Sequence, residues 1–214
     1  MTSSRSVSPR WLELGAQQRA AVAEAVVDLV SETAARPSVA EIAERAGMSR
    51  PTFYKYFPTL GTAMLHTASV LLSEIEHYVV PLIPTDANAR ERLLARFATS
   101  FEYSCSHPNV VRFFTYYDFT FRSVGFEDDE QLIRGEISHD AGDPYLDLFR
   151  EGQSDGSIEP SLAEDITYLA MVSSLVGTSQ RLMIESKWTN GSDERARSVY
   201  AMMLDVWREA LRPT

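Results

Sequence analysis

The stretch "VAEIAERAGMSRPTFYKYF", residues 39 to 57, has the pattern of two short helices joined by a tight turn. Ser38 stands three residues before Glu41, which is the spacing of a capping box, where two side chains satisfy free backbone amides at a helix start. Gly47 suits the left-handed conformation that a helix-to-helix turn requires. The spacing therefore predicts one helix from Ser38 to Gly47 and a second helix directly after it.

The second helix of this stretch carries aromatic residues on two faces. Ser49 is its predicted N-cap, because serine at that position accepts a hydrogen bond from a free amide of the first turn. Phe53 and Phe57 are four residues apart and are predicted to point inward together. The outer face and its flanks then hold Arg50, Pro51, Thr52, Tyr54, Lys55 and Tyr56.

Two short helices with a glycine turn form the helix-turn-helix unit, whose second helix enters the major groove of DNA. Arg50 suits a guanine, with about 1–3 kcal/mol of discrimination, and the Thr52 methyl suits a thymine methyl. The other outward side chains can donate to phosphates, as can the amides at Ser38. The candidate DNA contacts are Ser38, Arg50, Pro51, Thr52, Tyr54, Lys55 and Tyr56. On residue types alone, a plain hairpin of an all-helical protein is an equally good interpretation.

The formal net charge of −10 is distributed unevenly along the chain. Residues 1–60 hold seven Arg or Lys against six Asp or Glu, whereas residues 61–214 hold thirteen against twenty-four. Charges farther apart than a Debye length of about 8 Å are largely screened. An acidic protein with a nearly neutral N-terminal part can therefore still present a local cationic face to a polyanion.

The chain has features that we expect of a cytoplasmic protein. Cys105 is its only cysteine, so it forms no disulfide within the chain. No apolar run approaches the roughly 20 residues needed to cross a bilayer, and the N-terminus lacks the apolar segment of a secretory signal. We therefore predict a cytoplasmic location and no membrane partner.

Glycine and proline are scarce inside long periodic segments, and no strand-like alternation persists, which predicts an all-α fold. We expect a flexible arm over 1–15, a helix-turn-helix domain over 16–58 and a regulatory domain over 59–214. A capping-box spacing also recurs at Ser161 and Glu164. The predicted helices outside the opening stretch cover Gln17 to about Ala35, residue 59 to about 81, Asp86 to Ser106, Pro108 to about Gly125, 127–154 with breaks, 161 to Trp188, and Glu194 to Leu211.

Residues 38–65, "SVAEIAERAGMSRPTFYKYFPTLGTAML", resemble the N-terminal signature of the TetR family of transcriptional regulators. The matching features are a serine, "IA", "AGMS", "TxY" and a phenylalanine at the family's spacing. The resemblance implies three helices for DNA, a connecting fourth helix, and about five more helices that bind a small molecule and dimerise. The later stretch "REGQSDGSIEPSLAED" resembles the family's passage from its seventh to its eighth helix.

One position departs from this pattern. The family commonly has lysine and then glutamate at the start of the fourth helix, where the lysine holds a phosphate, but this chain has Leu60 and Gly61. We therefore expect a salt slope smaller by about one unit than in a relative with that lysine. Arginines of the N-terminal region, Arg5, Arg10 and Arg19, can substitute from a minor-groove arm, although a tail without contacts is the more common arrangement.

The segment from 86 to 125 is rich in aromatic residues, which lie on more than one helix face. The resemblance implies that this region lines a pocket for a small apolar or aromatic effector. The predicted ligand contacts are Phe101, Phe114, Tyr117, Phe121 and Met171. For each of them plain core packing is the more common role. Asp118 and Arg122 are four apart and form either a polar anchor for the ligand or an ordinary solvated ion pair.

The last two long helices carry apolar stripes that, in the resembled family, pack against a second copy as a four-helix bundle. A two-fold homodimer presents two recognition helices about 34–36 Å apart to a palindromic operator in double-stranded DNA. The alternative is a helix pair buried within one subunit. By the same resemblance, we expect a repressor whose ligand displaces the fourth helix and releases the DNA.

Two other function classes fit the sequence less well. An enzyme is a poor interpretation, because the four histidines lack metal-ligand spacing and the chain has no phosphate-binding glycine loop or nucleophile elbow. We accordingly expect no catalytic residue, metal or cofactor. The remaining alternative is a helical interaction or sensor protein that keeps the helix-turn-helix but no longer binds DNA, and Leu60-Gly61 is its best support.

Overall fold

The computed structural model describes residues 9–33, 35–122, 143–184 and 193–214. Over these ranges the chain is all-α, as predicted, and holds nine α-helices with one 3-10 turn (Val80–Leu82) and one π-helical segment (Asp118–Arg122). The α-helices are α1 (Pro9–Thr33), α2 (Val39–Arg45), α3 (Arg50–Tyr56), α4 (Leu60–Val79), α5 (Ala89–Ser106), α6 (Pro108–Tyr117), α7 (Pro144–Asp155), α8 (Glu164–Ile184) and α9 (Asp193–Ala210).

The first helix begins at Pro9, eight residues before the predicted start at Gln17. Proline is well suited to the first helical position, where its missing amide costs no hydrogen bond. Gly15, which the sequence analysis placed in a flexible arm, is buried in this helix, and a Cβ added there would lie 3.7 Å from the Tyr56 ring. Residues 9–15 are therefore helical, and the predicted start was wrong.

The second predicted capping box does not form. The hydroxyl of Ser161 donates to Oε1 of Glu159 at 2.6 Å, and Glu164 is the first residue of α8 itself. Glu159 also accepts hydrogen bonds from the amide and hydroxyl of Thr214, both at 3.0 Å. Ser161 is therefore drawn away from the helix by an acceptor that ties this loop to the C-terminus.

The other predicted helix positions within the described ranges are confirmed to within a few residues. The fourth helix and its 3-10 turn end at Leu82, and α5 starts after the N-cap Asn88. Helix α7 ends at Asp155 and is followed by its cap Gly156, whose φ of 77° is left-handed. Residues 123–142 and 185–192, which include parts of three predicted helices, lie outside the described residues.

Two clusters of buried residues hold the fold together. The cluster that we call the head core joins α1, α2, α3 and α4 to α6, because Val110, Phe113 and Tyr117 of α6 belong to it together with Phe53 of α3. The cluster that we call the distal core joins α5, α7, α8 and α9. Helix α6 therefore packs directly on the N-terminal helices, although it lies in the predicted regulatory domain.

Within the described ranges, no helix has both the length and the apolar character needed to span a membrane.

Candidate nucleic-acid interface

The turn between α2 and α3 is built by backbone hydrogen bonds that only a left-handed residue permits. The amide of Met48 donates to the carbonyl of Ala43 at 2.9 Å, and the amide of Gly47 donates to Glu44 at 3.1 Å. This pair of bonds is the Schellman motif, and Gly47 has the required positive φ of 66°. The geometry confirms the predicted turn and sets the direction in which α3 leaves α2.

Both helix starts are capped as predicted. Ser38 and Glu41 form the complete capping box, with Glu41 Oε2 accepting from the Ser38 amide at 2.8 Å. That backbone bond is the largest cause of the lowered pKa of the Glu41 carboxyl. At α3, Ser49 Oγ accepts from the Thr52 amide at 3.2 Å, and the two hydroxyls lie 2.8 Å apart. The Thr52 hydroxyl is thus engaged locally with Ser49.

The recognition-type helix α3 separates its aromatic residues between core and solvent. Phe53 is fully buried, and its ring lies 5.6 Å from that of Phe57, so both point inward as predicted. Tyr54, one residue further along the helix, is 53% exposed. The alternation leaves the outer surface of α3 free for polar contacts.

We call the outer surface of α3 the recognition face. Arg50, Pro51, Tyr54 and Lys55 are exposed, and Thr52 is half-buried at the edge. Lys55 Nζ lies 5.7 Å from the centre of the Tyr56 ring, which itself packs against the head core. The predicted contacts on α3 therefore lie together on one seven-residue helix. Ser38 is exposed at the start of α2, where the Glu41 carboxylate holds its amide.

A salt bridge that the sequence analysis missed fixes α2 against α1. Arg45 reaches both carboxylate oxygens of Glu32, at 2.9 and 2.8 Å, and lies 3.7 Å from Asp28. Bonds of this bidentate kind define orientation as well as energy. Arg45 is therefore engaged within the head, which leaves Arg50 and Lys55 as the cations of the recognition face.

The departure at the start of α4 has a structural role. Thr59 and Thr62 form a capping box, and Leu60, half-buried in the first turn, packs against the head core. Gly61 is buried next to it. The position where the resembled family places a phosphate-binding lysine is thus occupied by an apolar side chain that packs inward.

The predicted effector contacts are distributed over both cores. Phe101 stacks on Tyr200, with ring centres 4.0 Å apart, and shares the distal core with Met171. Burial raises the pKa of the Tyr200 hydroxyl. Tyr117 lies in the head core, and Phe114 is half-buried against it. The side chain of Phe121 lies outside the described residues.

Asp118, one member of the proposed polar anchor, is hydrogen-bonded to another helix. Asp118 Oδ2 accepts a hydrogen bond from Nε2 of Gln180 at 3.0 Å, which links the π-helical end of α6 to α8. The side chain of Arg122 lies outside the described residues. The sequence analysis missed Gln180, because residues 62 positions apart leave no periodic signal.

Residues 33–59 match the family described as "Bacterial regulatory proteins, tetR family". The chain carries a tetR-family N-terminal domain. The match covers the whole turn, the recognition face and both helix caps described above, so the predicted resemblance is confirmed. A search of curated proteins returns no significant match.

Solved structures share the tetR-family fold over almost the full chain. A TetR family transcription regulator from Marinobacter aquaeolei VT8 has a TM-score of 0.65 and 19% identity, covering 90% of this chain and 96% of its own. The ketosteroid transcriptional regulator KstR2 of Mycobacterium tuberculosis has a TM-score of 0.59 and 20% identity, with coverages of 91% and 95%.

A third structure contains a bound ligand. FadR from Bacillus subtilis, a transcriptional regulator solved in complex with stearoyl-CoA, has a TM-score of 0.62 and 16% identity. The similarity covers 92% of this chain and 98% of FadR. At these identities the comparison shows a common fold, and the neighbours are transcription regulators.

Proposed function

We propose that this protein is a TetR-type DNA-binding transcriptional regulator, a repressor that leaves a palindromic operator when it binds a small apolar or aromatic ligand. The recognition face carries the proposal. Arg50, Tyr54 and Lys55 are exposed on a short helix that a capped, left-handed turn holds in place. Such a helix presents its N-terminal residues to base edges in the major groove.

The exposed surface of α8 and α9 supports a homodimer. Large apolar side chains stand exposed there, including Ile166 at 68%, Leu169 at 65% and Met202 at 63%. Gly177 lies on the outer surface of α8, and a Cβ added there would meet nothing within 4 Å. The exposed apolar residues on these two helices are Ile166, Leu169, Val176, Val199, Met202 and Val206. Two such surfaces related by a two-fold axis form a four-helix bundle and place two recognition helices on one DNA duplex.

The effector is proposed to be apolar and to lie where the two cores meet at α6. Tyr117 belongs to the head core and Phe114 packs against it, whereas Phe101 and Met171 belong to the distal core. Phe121 remains a proposed contact on the same segment. Neighbours named for ketosteroids and for stearoyl-CoA favour an apolar ligand for this fold.

Helix α6 offers a direct route from the effector to the DNA. Its residue Phe113 is fully buried in the head core, and the carbonyl of Asn109 accepts from the Ser31 hydroxyl of α1 at 3.3 Å. Its other end is bonded to α8 through Asp118 and Gln180. A ligand that displaces α6 therefore shifts α1 as well as α4, and the two heads of a dimer lose their register on the operator.

DNA binding is tested by retention of double-stranded DNA at moderate salt. Arg50→Ala combined with Tyr54→Ala removes two exposed side chains of the recognition face and should weaken binding, with about 1–3 kcal/mol from Arg50 alone. Arg212→Ala, which removes an exposed arginine at the C-terminus, is the matched control and should bind as the wild type does. Equal retention by all three proteins, or none by the wild type, would favour the interaction protein without DNA binding.

Ligand response is tested separately with the selected operator. We expect a true effector to lower operator affinity about 5–150-fold, which corresponds to a coupling of about 1–3 kcal/mol. Stearoyl-CoA and a ketosteroid are suitable first probes, given the neighbours. A ligand that binds the protein and leaves the operator affinity unchanged would contradict the proposed coupling. A regulator of this kind works where the DNA is, so we place the protein in the cytoplasm.

A further inference from the structure

A cleft of about 530 Å³ opens beside the distal core. It lies between α5, α7 and the connector that follows α4, and it is separate from the predicted effector contacts, since neither Phe101, Phe114, Tyr117 nor Met171 lines it. Its volume is within the range of about 300–1,000 Å³ that is typical of small-molecule sites. The residues that line it include Val80, Ile83, Arg92, Arg96, Asp147 and Leu148.

Both cations that line the cleft are already held by carboxylates. Arg92 makes a bidentate pair with Glu151, at 2.8 and 3.1 Å. Arg96 is almost fully buried, its Nη2 lies 2.5 Å from each oxygen of Glu76, and the Tyr145 ring covers its guanidinium at 4.7 Å. The carboxylates of Glu151 and Glu76 therefore already offset the charges of both arginines, which disfavours an anionic ligand here.

Asp147 is the least compensated charge of the lining. Its side chain is 67% exposed, and the cation closest to it is Arg150, with an Nη1–Oδ1 distance of 4.0 Å. That guanidinium is engaged elsewhere, because its Nε and Nη2 bind Glu164 at 3.1 and 2.8 Å. Asp147 is therefore a mostly exposed carboxylate whose ion-pair partner, Arg150, is bound more closely by Glu164.

Other residues of the lining are apolar. Val80 is 55% exposed in the 3-10 turn, Ile83 is half-buried beside it, and Leu148 of α7 is buried. Apolar surface of this kind binds a hydrocarbon chain with about 0.8 kcal/mol for each methylene that it removes from water. Charge and apolar lining together call for a molecule that has one positive end and one hydrocarbon end.

We propose that this cleft is a second small-molecule site, which binds an amphipathic organic cation, an amine with a short hydrocarbon body. The ammonium group lies at Asp147, and the hydrocarbon packs against Val80 and Ile83. The chain's net charge of −10 favours the approach of a cation over that of an anion. The proposal depends only on the residues that line the cleft and not on DNA binding.

The probes are hexylammonium, hexanol and hexanoate, which share a hydrocarbon body and differ in charge. Titration of the full-length protein followed by amide NMR shifts measures both affinity and location. Hexylammonium should bind most tightly and hexanoate most weakly, and the shifted amides should include those of Ile83, Thr85 and Leu148. Asp147→Asn should weaken hexylammonium about threefold and leave hexanol unchanged, because an exposed ion pair is worth at most about 1 kcal/mol.

Asp165→Asn is the matched control, since Asp165 is likewise an exposed aspartate in the first turn of a helix but does not line the cleft. It should bind all three probes as the wild type does. The inference is overturned if the three probes bind equally, if hexanoate binds best, if Asp147→Asn changes nothing, or if no cleft amide shifts at ~10 mM hexylammonium, a concentration that detects affinities down to about −3 kcal/mol. None of these results bears on DNA retention, so the two proposals fail independently.

Discussion

The head, α1 to α3, and the part that we propose to be regulatory, α4 to α9, use aromatic residues in different ways. In the head, neighbouring aromatics separate cleanly, with Phe53 fully buried and Tyr54 exposed beside it. In the regulatory part, rings are divided between two cores, and Phe101 stacks on Tyr200 from a helix far along the chain. The head is thus organised by local spacing, whereas the regulatory part is organised by contacts between distant segments.

Helix α6 does not follow this division. It belongs to the regulatory part by position in the chain, but Val110, Phe113 and Tyr117 complete the head core. The two parts are therefore coupled through shared packing as well as through the long helix α4. The following predictions test how far that coupling extends.

The largest expected effect comes from matched core substitutions. Phe113 and Phe149 are both fully buried, one in the head core and one in the distal core. Replacing either by alanine should lower the free energy of unfolding by about 3–5 kcal/mol. Hydrogen exchange separates the two: Phe113→Ala should lower the protection of α1–α3 amides, and Phe149→Ala should lower that of α7–α9. Loss confined to the regulatory helices in Phe113→Ala would show that α6 does not hold the head.

A smaller effect is expected from the helix caps. Ser49→Ala removes the cap of α3 and should cost about 1 kcal/mol of stability, because an amide of the first turn loses its acceptor. Ser161→Ala should cost less, because Ser161 bonds the half-buried Glu159 and does not cap α8. Urea unfolding of the two variants measures the difference. A larger loss of stability in Ser161→Ala than in Ser49→Ala would mean that Ser161, and not Ser49, caps a helix.

The caps also show what local sequence can and cannot predict. The box of Ser38 and Glu41 and the cap at Ser49 were predicted correctly because both partners lie within three residues of each other. The cap at Ser161 was wrong because Glu159, held by Thr214 at a distance of 55 residues, competes for the hydroxyl. Spacing rules describe a helix turn but not a competing acceptor whose position is fixed by a residue far along the chain.

The same reasoning applies to the candidate sites. The recognition face was predictable because one heptapeptide helix carries nearly all of it. The effector contacts were chosen from aromatic content, which does not distinguish the head core from the distal core. Arg45 and Glu32, thirteen residues apart, and Asp118 and Gln180 were missed because pairs between separate helices leave no periodic signal.

The effect expected at Thr52 is similar in size to that of the helix caps, but it concerns a single DNA contact. Because its hydroxyl bonds Ser49, its methyl group is the part left for a base, and a thymine methyl is the matching contact. Replacing that thymine by uracil in the selected operator should weaken wild-type binding by about 0.8 kcal/mol, the value of one buried methyl-sized group. Thr52→Val should keep the sensitivity, and Thr52→Ser should lose it. Uracil sensitivity at no operator position would exclude the methyl contact.

The smallest expected effect concerns acid stability at the C-terminus. Hydrogen bonds from the Ser161 hydroxyl and then the Thr214 amide lower the pKa of the Glu159 carboxyl from 4.5 to about 2. Since the folded-state pKa is the lower one, this stabilisation is present above the ordinary pKa and is lost as the pH falls through 4.5 toward 2.

Glu159→Gln should flatten the acid side of the stability curve in that window. Urea unfolding at a series of pH values measures the slope, with Glu209→Gln, an exposed glutamate on α9, as the control. If stability falls with pH as steeply in Glu159→Gln as in the wild type, the hydrogen bonds between Glu159 and Thr214 contribute nothing to folding.

The central claim is that two copies of the protein present their recognition faces side by side to one DNA duplex. Selection of bound duplexes from a random pool, followed by sequencing, tests it most directly. The account predicts enrichment of an inverted repeat whose half-sites are centred about 34–36 Å apart, or a multiple of that spacing. A pool that stays random, or an enriched single half-site without a repeat, would contradict it.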